Sequence, residues 1–315
     1  MSHSPIAFLA SADEGNIDLW LTELRARMPD EDIRTLEELS DAERVQCDIA
    51  IVAQPTPDML DAVPNVTWIH SLWAGVDSIR TVMEPRGTPV VRLVDPQLAE
   101  TMAEAVLAWV MYLHRDMPAY ARQQRAHEWK KQPYCRASDR TVAILGLGAL
   151  GQTAARRLAP QGFRLKGWSR SAKSIDGMEC FHGDDGLVAA VTNADIVVSL
   201  LPLTPDTCGV IDQKILGAFK QSAGLINFGR GPVIDEVALR QALGNGSPGH
   251  AVLDVFAQEP LPSDNWMWDH PAVTILPHIS APTDSRTASA IVSKAIARFR
   301  ATGEIPEAVD WKRGY

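Results

Sequence analysis

Residues Thr141–Leu158 read TVAILGLGALGQTAARRL. The apolar run Thr141–Leu145 predicts a buried strand, and the stretch Leu150–Leu158 predicts an amphipathic helix directly after it. Between them stands Gly146-Leu147-Gly148-Ala149-Leu150-Gly151, a GxGxxG turn. The spacing alone recurs by chance; a strand before it and a helix after it give it meaning. Gly146 permits the tight turn, Gly148 lets a pyrophosphate approach the backbone, and Gly151 lets helix and strand pack closely. The helix start, at Ala149 and Leu150, offers free N–H groups and a positive dipole end to an anion. A bound dinucleotide suits this combination; a glycine-rich turn without a ligand is the alternative.

The next strand candidate, Arg164–Trp168, runs into Ser169-Arg170-Ser171-Ala172-Lys173. In an NAD site an Asp or Glu near this point holds the ribose 2′-hydroxyl. No carboxylate is present here. Hydroxyls, a guanidinium and an ammonium suit a 2′-phosphate, which arginine grips through paired charge-assisted hydrogen bonds. The sequence therefore predicts NADP as the preferred cofactor, with NAD as the other candidate. A solvated basic turn is the plain reading of the same residues.

Short apolar strand candidates alternate with helical patterns on both sides of this unit. Ile6–Ala10, Ile33–Leu36, Ile49–Ala53, Val66–Ser71 and Val90–Leu93 form a first group. Thr141–Leu145, Arg164–Trp168, Asp195–Leu201, Gly224–Phe228, Ala251–Val255 and Val273–Leu276 form a second. Such alternation predicts an α/β protein with two doubly wound parallel sheets. A long helical pattern, Ala99–Arg115, stands between the groups, and another, Asp284–Arg300, follows the last strand. The second helix is expected to return to the first domain. Residues 1–98 with 284–315 are expected to form a discontinuous substrate domain, smaller and flavodoxin-like, and residues 99–283 a Rossmann-type cofactor domain.

A chain of 315 residues is long enough for two such cores. Its net charge of −9 argues against a nucleic-acid or membrane-surface binder. Cys47, Cys135, Cys180 and Cys208 lack metal-ligand spacing and are expected to be free thiols. Neither a secretory leader nor a membrane-length apolar run is apparent, so a soluble, cytoplasmic protein without metal is expected.

Three segments follow strand candidates of the second group: NFGRG at Asn227–Gly231, DVFAQEP at Asp254–Pro260, and PHIS at Pro277–Ser280. Strand ends in a doubly wound sheet face the ligand crevice, so Arg230, Glu259 and His278 are expected at one edge. A permanent cation framed by Gly229 and Gly231 suggests an arginine aimed at an anion, with the glycines leaving room for it. Taken singly, each residue also has a structural reading: an ion-pair partner, a turn carboxylate, a strand-end histidine. His270 precedes the last strand and is expected at the opposite end.

These motifs, with SLWAGVDSI at Ser71–Ile79 and LPLTPDT at Leu201–Thr207, occur in an order that resembles the D-2-hydroxyacid dehydrogenases over nearly the full chain. Within that family the WSRS turn and the LWAGVD loop are most similar to NADPH-preferring glyoxylate/hydroxypyruvate reductases. The resemblance implies hydride transfer to a small 2-oxo acid. It implies that Arg230 binds the substrate carboxylate, His278 is the general acid and Glu259 holds that histidine. It also implies that Asp254 contacts the nicotinamide carboxamide, and that Leu201, Pro202 and Thr207 line the nicotinamide ribose and phosphates. Backbone N–H groups around Ala74 and Gly75 would hold the carboxylate opposite Arg230, with Trp73 beside them; a turn that caps the next helix is the alternative. Trp73, Trp266 and Trp268 are candidates for narrowing the pocket. The family further implies a homodimer built through Ala99–Arg115. Phe228 and Ser280 depart from the residues common in the family, and the Phe228 ring is expected to affect cofactor packing. Two other readings stay open: action on a different D-2-hydroxy acid, and a non-catalytic, dinucleotide-sensing protein resembling the dehydrogenase-like corepressors.

Overall fold

The computed structural model describes residues 3–11 and 16–311. The chain divides into two compact units, Met1–Gln97 with Thr283–Tyr315, and Leu98–Pro282.

The first unit is built on β1 (Ile6–Ala10), β2 (Ile33–Thr35), β3 (Ile49–Ala53), β4 (Trp68–Ser71) and β5 (Val90–Val91). All pairs are parallel, in the order β2-β1-β3-β4-β5. That is the flavodoxin-like winding. The central strands IAFLA and IAIVA are covered on both faces, which is why they read as unbroken apolar runs. Helix Ser285–Thr302 packs in this unit: Ala288, Val292 and Ile296, spaced by four, form one buried stripe in a core with Trp20, Leu24 and Trp68. Asp284 caps it by accepting from the N–H groups of Arg286 and Thr287. Near its other end Arg300 pairs with Glu31 at 3.1 Å and with Asp48, a largely buried cluster that fixes the helix to the sheet.

The second unit carries β6 (Thr141–Leu145), β7 (Arg164–Ser169), β8 (Met178–His182), β9 (Ile196–Ser199), β10 (Gly224–Asn227), β11 (His250–Leu253) and β12 (Val273–Ile275). They are all parallel, in the order β12-β11-β10-β9-β6-β7-β8. This is the dinucleotide-fold order extended by one strand, with the winding reversing at β6 and β9. Met102, Val106 and Val110 of helix Pro96–His114 and Ala154 and Leu158 of helix Ala149–Leu158 share one core. Leu187, Val191, Leu239 and Leu243 belong to the core on the other face. Edge strand β8 lacks an apolar run and is not among the strand candidates of the sequence.

Among the described residues no helix is long and apolar enough to cross a membrane, and no group of three or more His, Cys, Asp or Glu is placed to hold a metal. All four cysteines are free thiols.

Candidate active site

At the end of β6 the three motif glycines do different work. Gly146 has φ +100° and donates its N–H to the Trp168 carbonyl at 2.8 Å. A Cβ there would stand 2.9 Å from the Leu200 carbonyl oxygen, so the turn is pressed between its neighbouring strands. A Cβ on Gly151 would run into the Gly146 carbonyl, which is the close helix–strand approach expected of it. Gly148 is open: an added Cβ would meet nothing within 4 Å. It is also the N-cap of helix Ala149–Leu158, and no side chain caps the helix there. Open space in front of uncapped N–H groups fits a pyrophosphate.

The turn after β7 is braced from within. Ser169 is buried and its Oγ donates to the Ser171 carbonyl at 2.9 Å, so this hydroxyl shapes the turn. Arg170, Ser171 and Lys173 are exposed at the same turn. Arg170 Nη1 lies 3.1 Å from Asp206 Oδ2, across the glycine loop. Asp206 belongs to the loop after β9. Leu201 is buried in the core, and the Thr207 hydroxyl donates to the Pro202 carbonyl at 2.6 Å and accepts from Thr204 N–H at 2.8 Å. These two side chains turn inward and build the loop. Pro202 is exposed.

At the end of β10, Arg230 is half-buried, and its Nη1 donates to the Gly229 carbonyl at 2.8 Å. The flanking glycines do not serve to leave room for a ligand. A Cβ on Gly229 would stand 2.7 Å from the Leu201 nitrogen, and one on Gly231 would run into the Phe256 carbonyl and the Ala257 nitrogen. They let three strand-end loops meet, with Arg230 held at the junction. Asn227, which the sequence reading passed over, sits beneath. It is 1% exposed; its Nδ2 donates to the Arg230 carbonyl at 2.9 Å and its Oδ1 accepts from Gly229 N–H at 3.3 Å. A buried amide closing an apolar strand was the available signal. The Phe228 ring also differs from expectation: it is buried in the core with helices Pro96–His114 and Ala149–Leu158.

His278 Nδ1 and Glu259 Oε2 are 2.7 Å apart, and Glu259 Oε1 accepts from Phe256 N–H at 2.8 Å. The hydrogen bond His278 donates to Glu259 raises the histidine pKa above its ordinary value; partial burial and the nearby Arg230 charge oppose it without cancelling it. For Glu259 burial is the largest influence and pushes upward, but the bonds from His278 and Phe256 and the charges of His278 and Arg230 together leave its pKa lowered. Both shifts favour the imidazolium–carboxylate pair. His278 has φ +53°, a left-handed conformation unusual for a side-chain-bearing residue. Asp254 holds it there. Its Oδ1 and Oδ2 accept from Ile279 and Ser280 N–H at 2.8 and 2.9 Å, and its carbonyl accepts from His278 N–H at 3.0 Å. This buried carboxylate anchors the histidine loop.

In the first unit, Trp73 N–H donates to Ser71 Oγ at 3.0 Å and its ring meets Trp20 edge-on at 5.7 Å. Ala74 and Gly75 follow, half-buried, just ahead of helix Asp77–Arg86, which has no side-chain cap. In the second unit, the Trp266 indole donates to Glu236 Oε1 at 2.8 Å and that of Trp268 to the Pro262 carbonyl at 2.9 Å. His270 Nδ1 accepts from Ala272 N–H at 3.2 Å just before β12, at the far end of that strand from His278.

Comparison with known proteins bears on the chain as a whole. Residues 107–280 match the model for the D-isomer specific 2-hydroxyacid dehydrogenase NAD-binding domain. A glyoxylate/hydroxypyruvate reductase A from Yersinia enterocolitica is 36% identical, covering 94% of this chain and 96% of its own. A D-isomer specific 2-hydroxyacid dehydrogenase from Xanthobacter autotrophicus, solved with NADPH and MES, superposes with a TM-score of 0.91 at 35% identity, covering 99% of this chain and 100% of its own. An NADPH-dependent glyoxylate/hydroxypyruvate reductase from Sinorhizobium meliloti, solved with NADP and sulfate, gives 0.89 at 34% identity with the same coverage. Fold, motif order and full-length similarity agree, and the chain belongs to the D-isomer specific 2-hydroxyacid dehydrogenases, oxidoreductases with an NAD-binding domain.

Proposed function

We propose that the chain reduces small 2-oxo acids with NADPH, taking glyoxylate to glycolate and hydroxypyruvate to D-glycerate. A bound NADPH supplies the hydride. Arg230 binds the substrate carboxylate through its planar fork and fixes the adjacent carbonyl, a task for which lysine lacks the geometry. His278 uses Nδ1 to hold Glu259, so Nε2 is the nitrogen that delivers the proton to the carbonyl oxygen. In the reverse direction the same nitrogen accepts it. Glu259 keeps the ring oriented and charged. Arg170, with Ser171 and Lys173, receives the 2′-phosphate.

The observation that carries this reading is the 2.7 Å His278–Glu259 pair, poised as a charged acid beside Arg230. The similarity to glyoxylate/hydroxypyruvate reductases supports the choice of substrates. The test is a kinetic panel of glyoxylate, hydroxypyruvate, pyruvate and 3-phosphohydroxypyruvate with NADPH and NADH separately. The highest kcat/KM is expected for glyoxylate or hydroxypyruvate with NADPH. A preference for the phosphorylated acid, or no turnover of any of the four, would overturn the assignment.

A further inference from the structure

We propose that Asp206 moderates the preference for NADPH by competing with the cofactor 2′-phosphate for Arg170, an inference that rests on the role given to Arg170 above. The strand order β9-β6-β7 sets the loops after β9 and β7 on either side of the glycine loop. The Arg170–Asp206 ion pair, at 3.1 Å, therefore bridges the crevice that the adenosine half of a dinucleotide enters.

Both ends of this bridge are projected from braced turns. On one side Ser169 Oγ is tied to the Ser171 carbonyl. On the other, Thr204 and Thr207 are buried, their hydroxyls 2.9 Å apart, and Thr207 is bonded back to Pro202. Asp206 is thus presented toward Arg170 by a fixed loop. Its side chain is 69% exposed and that of Arg170 35%, so the pair is weak and readily exchanged.

A 2′-phosphate brings about two negative charges to the same guanidinium. Either Asp206 gives up Arg170, or carboxylate and phosphate share it and repel each other. NADH carries a hydroxyl there and meets neither cost. Asp206 is therefore a specificity residue that acts through Arg170 and penalises only the phosphorylated cofactor.

Asp206→Asn keeps the shape and removes the charge, and the residue is exposed enough that folding is not at stake. Dissociation constants for NADPH and NADH are measured by tryptophan fluorescence titration of wild type, Asp206→Asn, Arg170→Gln and the double variant. Asp206→Asn is expected to tighten NADPH about three- to tenfold and to leave NADH within about twofold. In the Arg170→Gln background the same change is expected to have no effect. Weaker or unchanged NADPH binding in Asp206→Asn, or equal tightening of both cofactors, would overturn the proposal. If Arg170→Gln weakens both cofactors equally, the role of Arg170 itself fails. If it weakens NADPH alone while Asp206→Asn tightens nothing, only the role of Asp206 fails.

Discussion

In the proposed reaction an exposed histidine is suited to donate a proton because of what touches it. Glu259 binds His278 Nδ1 at 2.7 Å and holds the pKa above the ordinary value near 6.5. Reduction consumes the imidazolium form. Its kcat/KM is therefore expected to be level at low pH and to fall as pH rises through the raised pKa, while oxidation of the hydroxy acid rises over the same range. Glu259→Gln keeps an acceptor for Phe256 N–H but removes the carboxylate charge, so the imidazolium loses its main support. The falling limb of the reduction profile is expected to move to lower pH. A profile that stays in place would separate Glu259 from the titrating group. This trio was legible in the sequence because each residue follows an apolar strand, and the resemblance supplied its roles. Asn227 and Asp254 were harder to read. Their work is to hold backbone N–H and carbonyl groups of nearby and distant loops, and such bonds leave no periodic trace in a sequence.

Turns, and the strands that feed them, explain why glycines at similar motifs respond differently to the same substitution. Gly148 faces open space and has a negative φ, so Gly148→Ala is expected to fold normally. The new methyl would stand in the pyrophosphate approach, and NADPH binding is expected to weaken about tenfold or more. Gly231→Ala places its methyl against the Phe256–Ala257 backbone, where no side chain can swing aside. A loss of roughly 2–4 kcal/mol of stability is expected, with displacement of Arg230. Thermal melts and cofactor titrations on both variants check the contrast; equal stability losses would contradict it. The glycines around Arg230 were visible in the sequence but their purpose was not, since the atoms they avoid lie about 25 residues away in either direction along the chain. Edge strand β8 was missed for a related reason. Its MECFH segment mixes half-buried and exposed positions with none fully buried, so it carries no long apolar run. The strands buried on both faces announced themselves, and β1, β3 and β6 begin and end where their apolar runs do.

For the whole molecule, parallel-strand winding and motif order made the two-sheet architecture readable without any pairwise contact. The return of helix Ser285–Thr302 to the first unit was readable too, because its apolar stripe had no sheet left to follow. Association between chains is a proposal of a different kind. The resemblance implies a dimer built through Ala99–Arg115; Trp129, fully exposed, and Tyr134, 82% exposed, follow that stretch in the chain, and we expect the same second copy to cover them. Light scattering is expected to give about twice the 34.4 kDa chain mass, falling to one chain in a Trp129→Ser, Tyr134→Ser double variant. A monomeric wild type would remove the dimer. Catalysis itself requires hydride and proton to reach one carbonyl group, and the measurement closest to that claim is single-turnover NADPH oxidation by glyoxylate in wild type and His278→Gln, with the NADPH dissociation constant taken on the same samples. The rate is expected to be about a hundred- to ten-thousandfold lower in the variant with cofactor affinity unchanged; a rate within a few fold of wild type would remove His278 as the proton donor.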